Sequence, residues 1–187
     1  VLVIVVSALV GYALAENKAL ATVPFGLQFV MTMVSTIPAS LLMGRIGRRA
    51  GFTVGQIIGI LGACIAAAAI YAGDFLLFAV GSAILGIHNA FWQYFRFAAA
   101  DGADPDFRPK AISYVMAGGL VAALIGPEIA KLTRDVVVEA AFAGSYLALA
   151  GLCAVNIALL RFIRIPRPTT ALSAGRPLGV IVRYPVF

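Results

Sequence analysis

Apolar positions along this 187-residue chain come in long, nearly unbroken runs, with neither the period-2 alternation of strands nor the narrow stripe of a water-facing helix. Six runs stand out, at residues 1–15, 21–43, 52–72, 75–99, 111–130 and 137–160. About 20 apolar helical residues cross a hydrocarbon core about 30 Å thick, and the last five runs reach that length. The first would rise only about 22 Å, which reads as a membrane helix cut inside its span. A signal peptide fits poorly, because no basic stretch or small-residue cleavage site marks one. Alternating segments of about ten residues, the mark of a transmembrane barrel, are missing. The pattern predicts an all-α membrane protein with six transmembrane helices, a bundle over 1–160 and a linker over 161–187.

Composition agrees. Hydrophobic residues make up 62% of the chain and charged residues 12%, against about 45–50% and about 25% in soluble domains. A soluble core of this size cannot hide so much apolar surface, so lipid is the expected solvent. The net charge of +6 then reports topology and not nucleic-acid binding, because no polar face gathers the basic residues. Cys64 and Cys153 fall inside apolar runs, away from redox or metal spacings, and read as buried small hydrophobes. Neither a metal nor a cofactor is expected.

The bases are unevenly placed. Arg45, Arg48 and Arg49 follow the second run, Arg108 and Lys110 the fourth, and Arg161, Arg164, Arg167 and Arg176 the sixth. The opposite connections carry only Lys18, Lys131 and Arg134. Basic residues near helix ends favour the cytoplasm, which puts the first set, the N-terminus and the linker inside. The linker holds Pro166, Pro168 and Pro177, and its PLGVIVRY stretch suits a short interfacial helix.

Topology alone does not explain why arginines alternate with glycines in residues 40–49, SLLMGRIGRR. Six helices, a short basic loop after the second and a basic linker after the sixth resemble the N-terminal half of a major facilitator superfamily transporter. That family's loop signature has the form G-x-L-x-D-R-x-G-R-R. Arg45, Gly47, Arg48 and Arg49 match it, while Ser40 replaces the first Gly and Gly44 the Asp. In the family the Asp belongs to a charge network that latches one side of the transporter, a role Gly44 cannot carry. Asp101, at the end of the fourth run, is a substitute on the same side. An acid at a helix C-terminus and bases at an N-terminus each oppose the helix dipole, and pairing would relieve both. Separate hydration is the alternative. The family's glycine-rich fifth helix ends in Gly-Pro, matched by Gly126 and Pro127, but Ala122, Ala130 and Lys131 stand where glycines are expected. The resemblance implies two inverted three-helix repeats and a monomer completed by a C-terminal half in a bacterial inner membrane. It also implies gating through Arg45, Gly47, Arg48 and Arg49 with Asp101.

Candidate chemistry concentrates in the fourth run, GIHNAFWQYFRFAAAD. His88, Trp92 and Arg96 fall at i, i+4 and i+8, with Asn89 and Gln93 beside them, so they stripe one helix face. His88 lies near the middle of the span. Ionisable groups at that depth usually face a bundle interior or a water-filled cavity, and transporter sites lie near the midplane. A cavity ligand and a hydrogen-bonded packing residue remain alternatives for His88. The same holds for solute stacking and packing at Trp92, and for anion binding and snorkelling at Arg96. Tyr12 and Gln28 are further cavity candidates; Asn156 reads as interhelical glue and Glu128 as hydrated. No carboxylate occupies the middle of the first, second or fourth run. Proton coupling through this half would therefore fall to His88, whose unperturbed pKa is about 6.5.

These features predict a secondary active transporter that moves a small organic solute by alternating access within a lipid bilayer. An intramembrane enzyme fits poorly, since Ser82 and Ser145 lack a G-x-S-x-G setting and one His cannot hold a metal alone. A channel subunit built on rings of like side chains, or another small six-helix membrane protein, is the remaining alternative.

Overall fold

A computed structural model of the chain describes residues 2–134, 136–137 and 140–163. Helices α1 (Leu2–Leu14), α2 (Val23–Ile46), α3 (Arg48–Ala72), α4 (Phe75–Trp92), α5 (Phe95–Asp101), α6 (Arg108–Thr133) and α7 (Ala143–Phe162) follow in order. A 3-10 turn at Lys18–Leu20 leads into α2, and no strand occurs among the described residues. Five segments are long and apolar enough to cross a membrane: Lys18–Ile46, Arg48–Ala72, Phe75–Asp101, Arg108–Thr133 and Ala143–Phe162. The expected linker, with Arg164, Arg167, Arg176 and the PLGVIVRY stretch, lies outside the described residues from 164 onward.

The joints differ from the expected loops. Gly47 alone connects α2 to α3, at φ 87° and ψ 154°, a region essentially closed to side-chain-bearing residues. Arg48 and Arg49 therefore occupy the first turn of α3, and Arg108 and Lys110 the first turn of α6. Between α3 and α4, Gly73 takes the left-handed conformation at φ 69°. Asp74 then accepts the Leu77 N–H at 3.0 Å and caps α4. α7 starts later than expected because Phe142 turns left-handed at φ 72° and donates its N–H to the Arg134 carbonyl at 2.8 Å. α6 runs through Gly126 and Pro127 to Thr133, three residues beyond the expected end at 130.

The fourth run is not one helix. Tyr94 N–H donates to the Phe91 carbonyl and Phe97 N–H to that of Tyr94, both at 3.1 Å, so the backbone tightens to i→i+3 bonding between α4 and α5. No Gly or Pro lies at the break. Tertiary anchors hold it: the Tyr94 hydroxyl donates to the Thr36 carbonyl at 2.9 Å, and Phe95 stacks on Phe52 with ring centroids 4.2 Å apart.

α3 lies between α4 and α7 and also meets α2, while α2 packs along α4. One buried cluster joins Val6, Val10, Ala66, Phe78, Leu85 and Tyr146; a second joins Ala39, Met43, Phe52, Ala90, Phe91 and Leu160. The Ser7 and Tyr146 hydroxyls bond at 3.0 Å across the first cluster. Close approach along α3 rests on glycine. A Cβ at Gly51, Gly55, Gly59 or Gly62 would strike Met43, Phe91, His88 or Ile84 and Leu85 respectively. The outer surface is apolar, with Met33, Ile37, Leu76, Leu124 and Leu132 exposed, as suits a protein whose solvent is lipid. Cys153 is buried as expected, but Cys64 is exposed on α3.

Candidate functional site

A cavity of about 560 Å³ opens along α4, bordered by Leu85, Val3 and Leu149 of the first cluster. Pockets that hold drug-sized ligands span about 300–1,000 Å³. Its α4 wall carries Leu85, His88, Asn89, Trp92 and Gln93, and its α2 wall Gln28, Phe29 and Thr32. Val3 of α1, Gly119 and Ala122 of α6 and Leu149 of α7 complete the lining. Four of the expected α4 residues thus meet Gln28 around one space.

The polar groups differ in how far they are satisfied. His88 Nδ1 lies 2.8 Å from the Gly55 carbonyl oxygen on α3. A carbonyl only accepts, so Nδ1 carries the hydrogen, and the neutral ring keeps Nε2 as an acceptor. The ring also lies against Gly59, where a Cβ would come within 2.7 Å of Nδ1. His88 is therefore both a packing residue and a cavity-lining one. Thr32 Oγ1 lies 2.7 Å from the Gln28 carbonyl and 2.9 Å from that of Gly86, tying α2 to α4. Gln28 is 2% exposed, and its Oε1 has no hydrogen-bond partner. Trp92 and Phe29 are about half exposed, at 53% and 52%, so each offers ring surface that the described helices leave uncovered.

Two expected cavity residues lie elsewhere. Tyr12 is 60% exposed beneath Lys18, whose Nζ sits 4.8 Å from its ring centroid. That ammonium donates to the Tyr12 and Ala15 carbonyls at 2.7 and 2.8 Å, closing the end of α1. Arg96 lies beyond the break, where the tightened turn takes it out of phase with His88 and Trp92. Its guanidinium carbon lies 5.0 Å from the Phe97 ring centroid, and its buried Nε has no partner. Glu128 pairs with Lys131 at 2.7 Å in the open, and Tyr114 is exposed. Gly126 is buried within α6 and Pro127 sits inside the same helix.

The lining also includes residues that sequence reasoning missed. Thr32 falls on the α2 face of Gln28, four residues on, where a helical wheel would have found it, while Phe29 reaches the lining from the adjoining face. Gly119 had no sequence signal of its own, because a mid-helix glycine suits close packing as well as open space.

A second hollow, of about 430 Å³, lies at the arginine-rich end and is lined by Ser40, Met43, Gly44, Arg48, Tyr94, Phe97, Ala100 and Asp101. Arg48 pairs there with Asp101, while Arg49 Nη2 donates to the Arg161 carbonyl at 2.8 Å and Arg45 is exposed. Gly44, which stands where the family signature has its Asp, faces the same hollow as the Asp101 carboxylate.

Over all 190 aligned positions the chain is 40% identical to the riboflavin transporter RfnT of Brucella anthropi. The match takes in 100% of this chain and 48% of the relative, so the chain spans about half the length of that curated protein. No solved structure matches it significantly. The family model of the Major Facilitator Superfamily matches residues 1–187. With its apolar membrane-length helices, the chain belongs to the major facilitator superfamily.

Proposed function

We propose that this chain is the N-terminal six-helix half of a secondary active transporter that moves a planar, hydrogen-bonding organic solute of the flavin kind by alternating access. Membership in the superfamily, with a transporter-named relative, points to a transporter and not an enzyme. The observation that carries the solute class is the cavity: Phe29 and Trp92 offer aromatic surface beside Gln28, Thr32, His88, Asn89 and Gln93. Bare ions need no aromatic wall, whereas a flat ring with polar edges uses both kinds of residue. The relative's substrate is of that chemistry.

The rest of the reading follows the family. Six helices form two inverted three-helix repeats over 1–160, residues 161–187 link to a C-terminal half, and the two halves act as a monomer in a bacterial inner membrane. The basic residues put the N-terminus, the arginine-rich end and the linker in the cytoplasm. Arg45, Gly47, Arg48 and Arg49 with Asp101 serve as the gate, the acid having moved from the end of α2 to the end of α5. His88 acts first as a solute ligand through Nε2 and second as a proton carrier, since its Nδ1 hydrogen is held by Gly55.

Uptake of labelled riboflavin by cells that lack their own flavin transporter, with and without the full-length protein, tests this. Saturable uptake or accelerated efflux is expected. Flavin fluxes equal to the empty-vector control, with the protein inserted in the membrane, would overturn the solute class.

A further inference from the structure

Resting on that flavin reading, we infer that Gln28 is the specificity-determining residue of the cavity and pairs edge-on with the ring imide of the solute, an N–H flanked by carbonyls. The α2 backbone at Gln28 is fixed against α4. Thr32 Oγ1 lies 2.7 Å from the Gln28 carbonyl and 2.9 Å from that of Gly86 on α4, and a Cβ on Gly86 would collide with the Gln28 carbonyl, so the two helices touch there. The Gln28 side chain is 2% exposed and borders the cavity, and its Oε1 is enclosed without a partner, so a turn of the carboxamide about its last torsion brings that acceptor to the solute. An acceptor stripped of water and given no donor loses its whole desolvation free energy, and an apolar side chain of that size would avoid the loss. A donor arriving with the solute removes the penalty each time the site fills.

The donor's chemistry follows from the carboxamide. It holds an acceptor and two N–H donors in one plane, so it matches a planar edge that carries an N–H next to a carbonyl. Glutamine reads adenine edges in the same bidentate manner. The isoalloxazine ring of a flavin has one such edge, at N3–H. The sugar-alcohol hydroxyls could also donate, but they are flexible and offer no fixed two-point match. Trp92, in the same lining, gives the ring a face to lie on.

Full-length protein in proteoliposomes, assayed with riboflavin and N3-methylriboflavin, tests the pairing. Methylation removes the donor and leaves the ring otherwise intact. The wild type should show an apparent KM about tenfold or more higher for the methylated flavin. In Gln28→Leu the KM for riboflavin should rise about tenfold and the two flavins should become equivalent. Thermal stability in detergent should be unchanged or higher, because a buried unpaired acceptor has gone. Wild-type transport of both flavins with equal KM overturns the inference and leaves the flavin reading standing, and this arm needs no variant. Retained discrimination in Gln28→Leu also overturns it. No riboflavin transport by the wild type overturns the solute reading and the imide pairing together.

Discussion

α3 and α6 are nearly equal in length, 25 and 26 residues, and both are dotted with glycine, yet the glycines do opposite work. Along α3, a Cβ at Gly51, Gly55, Gly59 or Gly62 would run into a neighbouring helix. Along α6, a Cβ at Gly118 or Gly119 would meet nothing within 4 Å. The first set brings backbones together, as small residues do where lipid supplies no drive for helix association. The second leaves room, and Gly119 spends it on the cavity wall. A glycine in a membrane helix thus marks either contact or space, and only the partner helix decides which.

The sharpest way to break this contrast is to fill both kinds of glycine with the same side chain. Gly59→Leu should force α3 and α4 apart at His88, with a cost of about 1–3 kcal/mol or more, and reduce the yield of monodisperse protein in detergent. Gly119→Leu should leave that yield unchanged while cutting transport several-fold, because its side chain enters the cavity. Equal loss of yield from the two would erase the distinction.

A smaller effect is expected where the two regions share a residue. His88 reaches α3 through Nδ1 and lines the cavity that α6 helps to enclose. His88→Leu should lose most transport, about tenfold or more, without losing membrane insertion. His88→Gln, which keeps a donor and an acceptor, should retain a measurable rate. Equal transport by wild type and His88→Leu at matched expression would assign the ring to packing alone.

Much of the bundle was readable because lipid imposes a length on every helix. The runs at 21–43 and 52–72 differ from α2 and α3 by a few residues, and the difference is at the charges. Arg48 and Arg49 look like loop residues by polarity, but one glycine makes the turn and they open α3. The stripe of His88, Asn89, Trp92 and Gln93 was legible from helical spacing. Arg96 was not, since the break at Gln93 and Tyr94 has no local breaker residue and depends on Thr36 and Phe52 in other helices. The unmet acceptor on Gln28 was equally hidden, because a missing partner has no sequence signal.

The smallest effect should come from the ion pair at the arginine-rich end. Arg48 and Asp101 are 18% and 39% exposed at the side chain, so solvent screens their attraction. A double-mutant cycle with Arg48→Gln and Asp101→Asn, read by thermal unfolding in detergent, should give a coupling of about 0.5–1 kcal/mol. Coupling indistinguishable from zero would mean that the pair adds nothing to the stability of α3 against α5.

A joint of one residue has only two rotatable bonds, and those of Gly47 sit where few other residues can follow. Immediately beyond it, Arg48 is tied to the end of α5 and Arg49 to the last turn of α7. Four helix ends are thereby fastened to a common hub. Torque applied to α2 is handed through Gly47 to α3, and from α3 outward to α5 and α7. That hand-over lasts only while two exposed links hold, one ion pair and one hydrogen bond, so this end is a clasp that releases α5 or α7 at little cost in free energy.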